Sequence, residues 1–192
     1  MDSSKLAVKV FVNDASAFKV DEVIPVFHEW IQARALKDHL LIDVVDYAHV
    51  PEGPGVVLIA HEANLALDEE GRLGLYYQRK HPIPGDLTQR LRVTFAAALT
   101  ACRLLEENLA LAGRLSFATD DLLVRVVDRL HAPNTPEAMA YVRPVLQGFL
   151  ERLYGGPVTL EQNPDPKSVF EVRAKAGQSL AAATLLDRLA TL

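Results

Sequence analysis

Six histidines, at positions 28, 39, 49, 61, 81 and 131, are the side chains best suited to moving a proton near neutral pH or to holding a metal. They fall on different stretches, and no two stand at a spacing that would put both on one face of one element, so neither a metal nor a cofactor is expected. His61-Glu62 lacks the second histidine four residues on that a zinc-binding helix needs. The chain also has no glycine-rich phosphate loop, no nucleophile elbow and no pair of cysteines two residues apart. Asp120-Asp121 and Asp128-Arg129-x-His131 could bring a carboxylate, a cation and an imidazole to one loop. The same residues ahead of Pro133-Asn134 are also ordinary turn and cap formers. No residue is assigned a catalytic role on this pattern.

The richest constellation comes from pairing two strands. Glu69-Glu70-Gly71 fits a three-residue hairpin loop whose glycine supplies a positive backbone angle, with Gly55 to Leu67 extended before it and Arg72 to Lys80 returning. Asp68 then faces Arg72. Counting inward puts Leu67 opposite Leu73, Leu65 opposite Leu75, Ala63 opposite Tyr77 and His61 opposite Arg79. His61, Tyr77 and Arg79 thus share a face with Val57, Ile59, Leu65 and Leu67. On such a face an unpaired polar group costs about 1–3 kcal/mol. These three are the candidate ligand-binding residues, for an acidic or polar small molecule; the alternative is that the strand end there reaches solvent.

The elements that must position them are organised around Asp86 to Gly113, which reads as one long helix. Asp86 with Gln89 makes a cap-and-return pair and Gly113 suits a left-handed terminus. Leu91, Phe95, Ala98, Cys102, Leu105 and Leu109 form its stripe, and Val93 to Cys102 carries no charge, which predicts burial nearly all round. Before it, Lys5 to Asn13 alternates as a strand, with Lys5 and Lys9 opposite Leu6, Val8, Val10 and Val12. VIPVFHEWIQARAL follows as a helix after Asp21-Glu22, with Val23, Phe27, Trp30 and Ile31 as its stripe. His39 to Tyr47 is a strand ended by the Pro51–Gly55 turn. His81-Pro82-Ile83-Pro84-Gly85 is the connector into the long helix.

Beyond Gly113, Arg114 to Phe117 suggests a short strand and Asp121 to Leu130 another. Thr135-Pro136 caps a helix running through Pro144 to Tyr154, and Pro157–Gln162 with Ser168–Lys175 makes a strand pair. Gln178 to Leu192 closes the chain as an amphipathic helix showing Leu180, Ala183, Leu186 and Leu189 or Ala190 on one side.

At 192 residues the chain can bury a sizeable core without staples, and it is expected to form a single compact domain over 1–192. Its lone Cys102 reads as a small buried hydrophobe and fits a reducing compartment. Met1 to Lys5 lacks the pattern of a signal peptide, so a cytoplasmic location is expected. No uncharged run is long enough to span a bilayer, so no membrane association is expected. The net charge of −5 is N-terminal: residues 1–85 hold 13 acidic and 8 basic groups, residues 86–192 hold 12 of each. Gln78-Arg79-Lys80-His81 is the sole basic cluster, so nucleic acid is not an expected partner.

An internal repeat is legible. VIPVFHEWI at 23–31 aligns with VRPVLQGFL at 142–150 at an offset of 119, matching Val23 to Val142, Pro25 to Pro144 and Val26 to Val145. On either side, VKVFVND precedes the first helix as LVRVVDR precedes the second, while LLIDVV and GVVLIA follow the first as PVTLEQ and SVFEVR follow the second. The chain is therefore read as α+β: two strand-helix-strand-strand-helix halves, 5–113 and 114–192, around a long central helix with a mostly antiparallel sheet. This order resembles the repeated modules of the GyrI-like small-molecule-binding domains, in which a cleft lies between two units. A specialised secretion-chaperone-like fold, with long helices on a twisted antiparallel sheet, is a second resemblance. Both are likenesses in the order of elements and carry no matched motif residue.

On this reading the chain is a non-catalytic module that binds a small molecule or a protein partner between its halves. Two alternatives stay open: an enzyme pairing His61 or His131 with a nearby carboxylate, and a structural or self-assembling subunit, so a homo-oligomer is possible.

Overall fold

A computed structural model describes residues 5–111 and 113–192. Residues 1–4, over which the leader expectation was formed, lie outside the described residues. Eight strands form one sheet in the order β2-β3-β4-β5-β1-β6-β8-β7, with every neighbouring pair antiparallel. The strands are β1 (Leu6–Val12), β2 (Leu41–Tyr47), β3 (Gly55–Ala60), β4 (Ala63–Asp68), β5 (Gly74–Arg79), β6 (Phe117–Val126), β7 (Val158–Gln162) and β8 (Phe170–Ala176). Four α-helices, α1 (Val23–Ala33), α2 (Leu87–Glu107), α3 (Pro136–Tyr154) and α4 (Ala182–Thr191), complete the α+β fold. Among the described residues no helix is long and apolar enough to cross a membrane.

The helices cover one face of the sheet. Alternate residues such as Val8, Val10, Leu65, Leu75, Val124 and Val172 point into a core closed by Val26, Phe27, Leu91, Phe95, Leu146 and Leu185 from the four helices. α2 lies on β1 and β5 and touches α3 and α4; Phe95 meets Phe149 of α3 edge-on at 5.2 Å between ring centres. Among the described residues no helix lies on the opposite face, which carries Lys9, Tyr76, Arg125, Glu171 and Arg173, one face apart from the apolar set by the period of two.

Several sequence expectations are corrected. α2 begins as expected, with the Asp86 carboxylate accepting from Gln89 N at 2.8 Å and the Gln89 side chain accepting from Asp86 N at 3.0 Å. It ends at Glu107, well before Gly113. Asn108 has an extended backbone and its Oδ1 accepts from Ala110 N, an Asx turn that diverts the chain and leaves Leu109 92% exposed. Nor is the uncharged middle of α2 buried all round, for Val93 is 43% exposed. The stretch expected as two short strands around residue 120 is the single strand β6, preceded by turn residues at Leu111, Gly113 and Arg114. In α4 the inward residues are Ala182, Leu185 and Leu189, while Ala183 faces solvent, because the helix starts at Ala182 and its stripe is rotated from the expected one.

The hairpin register changes most. Gly55–Leu67 is two strands with a tight turn at His61-Glu62, closed without glycine or proline: Glu62 accepts from Leu40 N through its carboxylate at 2.9 Å and from Lys80 N through its carbonyl at 3.0 Å, and Lys80 Nζ donates to Ala60 O. Leu67 then pairs with Leu75, Leu65 with Tyr77 and Ala63 with Arg79, a shift of two residues from the expected pairing. Parity is kept, so Tyr77 stays on the face of Leu65 and Leu67. Val57 and Ile59 fall on the other face, because Val56 and Leu58 are the residues opposite Leu67 and Leu65.

Candidate functional site

The register shift regroups the candidate residues. His61 lies exposed in the turn, its ring 5.0 Å from that of His81, and is not opposite Arg79. Tyr77 and Arg79 do come together, through a bond of 3.4 Å from Arg79 Nη1 to the Tyr77 hydroxyl. The imidazole that joins them is His39, whose Nε2 lies 2.8 Å from the same hydroxyl, with its ring edge-on to Tyr77. His39 comes from the connector between α1 and β2. That connector is placed by a left-handed Arg34 that ends α1 and by Leu36, which is buried.

The electrostatics of this cluster follow from burial. Tyr77 is fully buried, and loss of solvent pushes its phenol above the ordinary tyrosine range although Arg79 pulls it down. Burial, reinforced by the Arg79 charge, holds the His39 imidazole below its ordinary value against the pull of Glu62 and Asp38. His39 is therefore neutral near pH 7, so its Nε2 can accept the Tyr77 proton while the Tyr77 oxygen accepts from Arg79. The chain of bonds satisfies the Tyr77 hydroxyl. It leaves Arg79 Nε, which is buried, with no acceptor.

These residues edge a groove of about 410 Å³ between the connector (residues 35–39) and α2. From α2 it is lined by Val93, Ala96, Ala97, Thr100 and Leu104, a second apolar stripe at intervals of three and four residues. The absence of charge from Val93 to Cys102 thus serves two surfaces: Phe95, Ala98, Leu99 and Cys102 face the core, and the small residues between them face the groove. Arg103 and Lys37 also line it, against the single carboxylate of Asp38.

A larger depression, about 540 Å³, lies on the helix-free face of the sheet and spans both halves of the chain. Its charges are matched within the protein. Arg125 donates to Glu171 at 2.5 Å and to Glu70 at 3.1 Å, while Arg173 and Arg72 share Asp121 at distances of 2.7 to 3.0 Å. Arg72 and Arg173 stack on Phe11, with guanidinium carbons 4.6 and 5.6 Å from the ring centre. A ligand there would have to compete with bonds already made.

The other histidine candidate, His131, contacts Asp128 three residues away at 3.0 Å on an exposed turn. Among the described residues no group of three or more His, Cys, Asp or Glu could hold a metal ion. Sequence reasoning missed His39 because it lies 38 residues from Tyr77 and the β3–β4 turn beside it, at His61-Glu62, carries no glycine or proline. Neither a protein-family model nor a curated protein nor a solved structure matches the chain.

Proposed function

We propose that this chain is a non-catalytic binding module whose ligand is a small molecule seated in the groove between α2 and residues 35–39. The observation that carries this reading is the second apolar stripe of α2: Val93 and its neighbours stay free of charge on a side that solvent can reach, where a helix without a partner there would carry polar residues. The volume falls in the range of roughly 300–1,000 Å³ typical of small-molecule sites. The groove belongs to the first half of the chain, so the ligand is placed within that half and not between the two. An acid–base enzyme is less well supported, since His39 is engaged with Tyr77, His61 with His81 and His131 with its own turn.

A duplication about α2 is supported by strand positions. β1 and β6 lie side by side at the centre, β5 flanks β1 as β8 flanks β6, and β4 follows β5 as β7 follows β8. On that correspondence β2 and β3 are additions to the first half, which moves the alignment of strands away from the one the sequence suggested. The buried thiol of Cys102 suits a cytoplasmic location.

The test is a thermal-shift screen of small metabolites on the wild type and on Ala97→Trp, which fills the groove from a partly exposed helix position. Hits should stabilise the wild type and lose their effect in the variant. Hits that act equally on both proteins would remove the groove from consideration.

A further inference from the structure

We propose that the ligand of this groove is a singly charged acid with an elongated apolar body, its acid group bound by Arg79 and its body lying along α2. The proposal rests on the groove being a ligand site and adds the chemical class. Of the three cations that line it, Arg103 is already 3.7 Å from Glu107, one turn along the same helix, and Lys37 stands next to Asp38 on the exposed connector. Arg79 and Lys37 enter no ion pair with a carboxylate among the described residues; Arg79 is the half-buried one of the two, and its Nε, like that of Arg103, is buried with no acceptor. With the Tyr77 hydroxyl engaged by His39 and Arg79, the guanidinium is the cationic group that this corner presents to a ligand. An amine is repelled there, a neutral hydroxyl meets only part of the need, and a carboxylate can take a guanidinium in a two-bond pairing. The Asp38 carboxylate on the same rim favours a single negative charge over the near-double charge of a phosphate monoester.

The body is set by the wall. Val93 to Leu104 covers eleven residue steps, about 16 Å of helix at 1.5 Å per residue, and lines the groove with apolar side chains except for Thr100 and, at the far end, Arg103. The alanines at 96 and 97 leave room for a chain to lie against the helix. A straight-chain acid of medium length therefore fits both ends of the site.

The experiment is calorimetric titration of decanoate, decanol, decylamine, decyl phosphate and acetate into the wild type, Arg79→Met and Arg103→Met. Methionine keeps an apolar stem at either position, and neither arginine is in the core cluster, so folding is checked only by melting temperature. Decanoate should bind the wild type at least tenfold more tightly than decanol or decyl phosphate, equivalent to about 1.4 kcal/mol. Decylamine should bind more weakly still and acetate not measurably. Arg79→Met should reduce decanoate to the affinity of decanol and leave decanol unchanged, while Arg103→Met keeps the preference for the acid. Decanol binding as tightly as decanoate, or an acid preference that survives in Arg79→Met, overturns the proposed class while the groove itself stands if Ala97→Trp blocks both probes. Screening hits of another chemistry that Ala97→Trp abolishes, with no ten-carbon probe bound, overturn this inference alone. If no small molecule binds but an acidic amphipathic peptide does, the groove belongs to a protein partner and both readings fall.

Discussion

Lys9 and Asp68 meet at 2.8 Å on the sheet's helix-free face although 59 residues separate them, and the contact runs over Gly74. Lys9 on β1 and Asp68 on β4 are not on neighbouring strands; β5 lies between them. The lysine stem crosses β5 where Gly74 has no side chain, and a Cβ there would stand 2.7 Å from Val10 O and 3.1 Å from Lys9 Cε. The ammonium also donates to Glu70 O at 2.8 Å, and Asp68 accepts from Glu70 N, so the loop from Glu69 to Leu73 is wrapped around a buried charge. Burial presses the Lys9 ammonium below the ordinary lysine range, and its hydrogen bond to Asp68 opposes that pressure.

Breaking this pair from one side should cost more than removing it. Lys9→Met strands a nearly buried carboxylate and is expected to destabilise the fold by about 3–5 kcal/mol, whereas Lys9→Met with Asp68→Leu should recover most of that loss. Urea unfolding of the two variants and Asp68→Leu completes the cycle. If the double variant is no more stable than Lys9→Met, the two charges act independently and the loop is held by something else.

The same pair explains why the hairpin register was not legible in the sequence. Alternation placed Lys9 on the polar face of β1 correctly, but nothing in KLAVKVFVN says that it is fully buried or that its partner is Asp68. Three loop residues satisfy the glycine rule at Gly71. The ammonium needs more chain to wrap it, so the pairing resumes at Gly74 and every partner moves by two. Because a shift of two preserves the face, Tyr77 and Arg79 remained recoverable, while His61 was lost to a turn built from Glu62 and Lys80 side chains. The helix caps at Asp86 and Thr135 were legible because each is settled by residues a few positions apart. The groove was not, because it depends on where the α1–β2 connector lands against α2.

Cys102 is fully buried, and burial raises its thiol well above the ordinary value, with Glu106 adding to the rise. A thiol in that setting does not reach reagents until the protein opens. Labelling with an aromatic disulfide at pH 8 should therefore be slow in the native state, follow global unfolding, and become immediate in denaturant. Rapid labelling of the folded protein would mean that this side of α2 is open. Cys102→Asp should prevent folding, since an unpaired buried carboxylate costs as much as a domain's whole stability of about 5–15 kcal/mol.

Asp121 ties β6 to β8 through Arg173 and to the loop before β5 through Arg72. The Arg173 hydrogen bond, then the charges of Arg173 and Arg72, hold its carboxyl below the ordinary 3.8. A carboxylate whose folded value is depressed adds stability above its unfolded value and loses it as pH falls through the folded one. Asp121→Asn should cost about 1 kcal/mol or less at pH 7, because the arginines are partly exposed, and the gap between the two proteins should shrink as the pH falls below 3.8. A gap that persists unchanged in acid would locate the effect in packing.

His39 gives the opposite limb. Burial and the neighbouring Arg79 lower its folded value beneath 6.5, against Glu62 and Asp38, so the unfolded chain takes up the proton first as pH falls. Stability is then greatest above the unfolded value and declines below it until the folded imidazole also protonates, with a slope of up to about 1.4 kcal/mol per pH unit from this one group. Protonation also removes the acceptor at Nε2 on which the Tyr77 hydroxyl depends at 2.8 Å. His39→Gln keeps a polar acceptor without that titration, so its melting temperature should fall less than that of the wild type between pH 7 and pH 5. At pH 8 the variant should be the less stable of the two. Parallel melting curves across the whole range would show that His39 is already solvated, and the donor-only corner at Arg79 would lose the neutral partner that defines it.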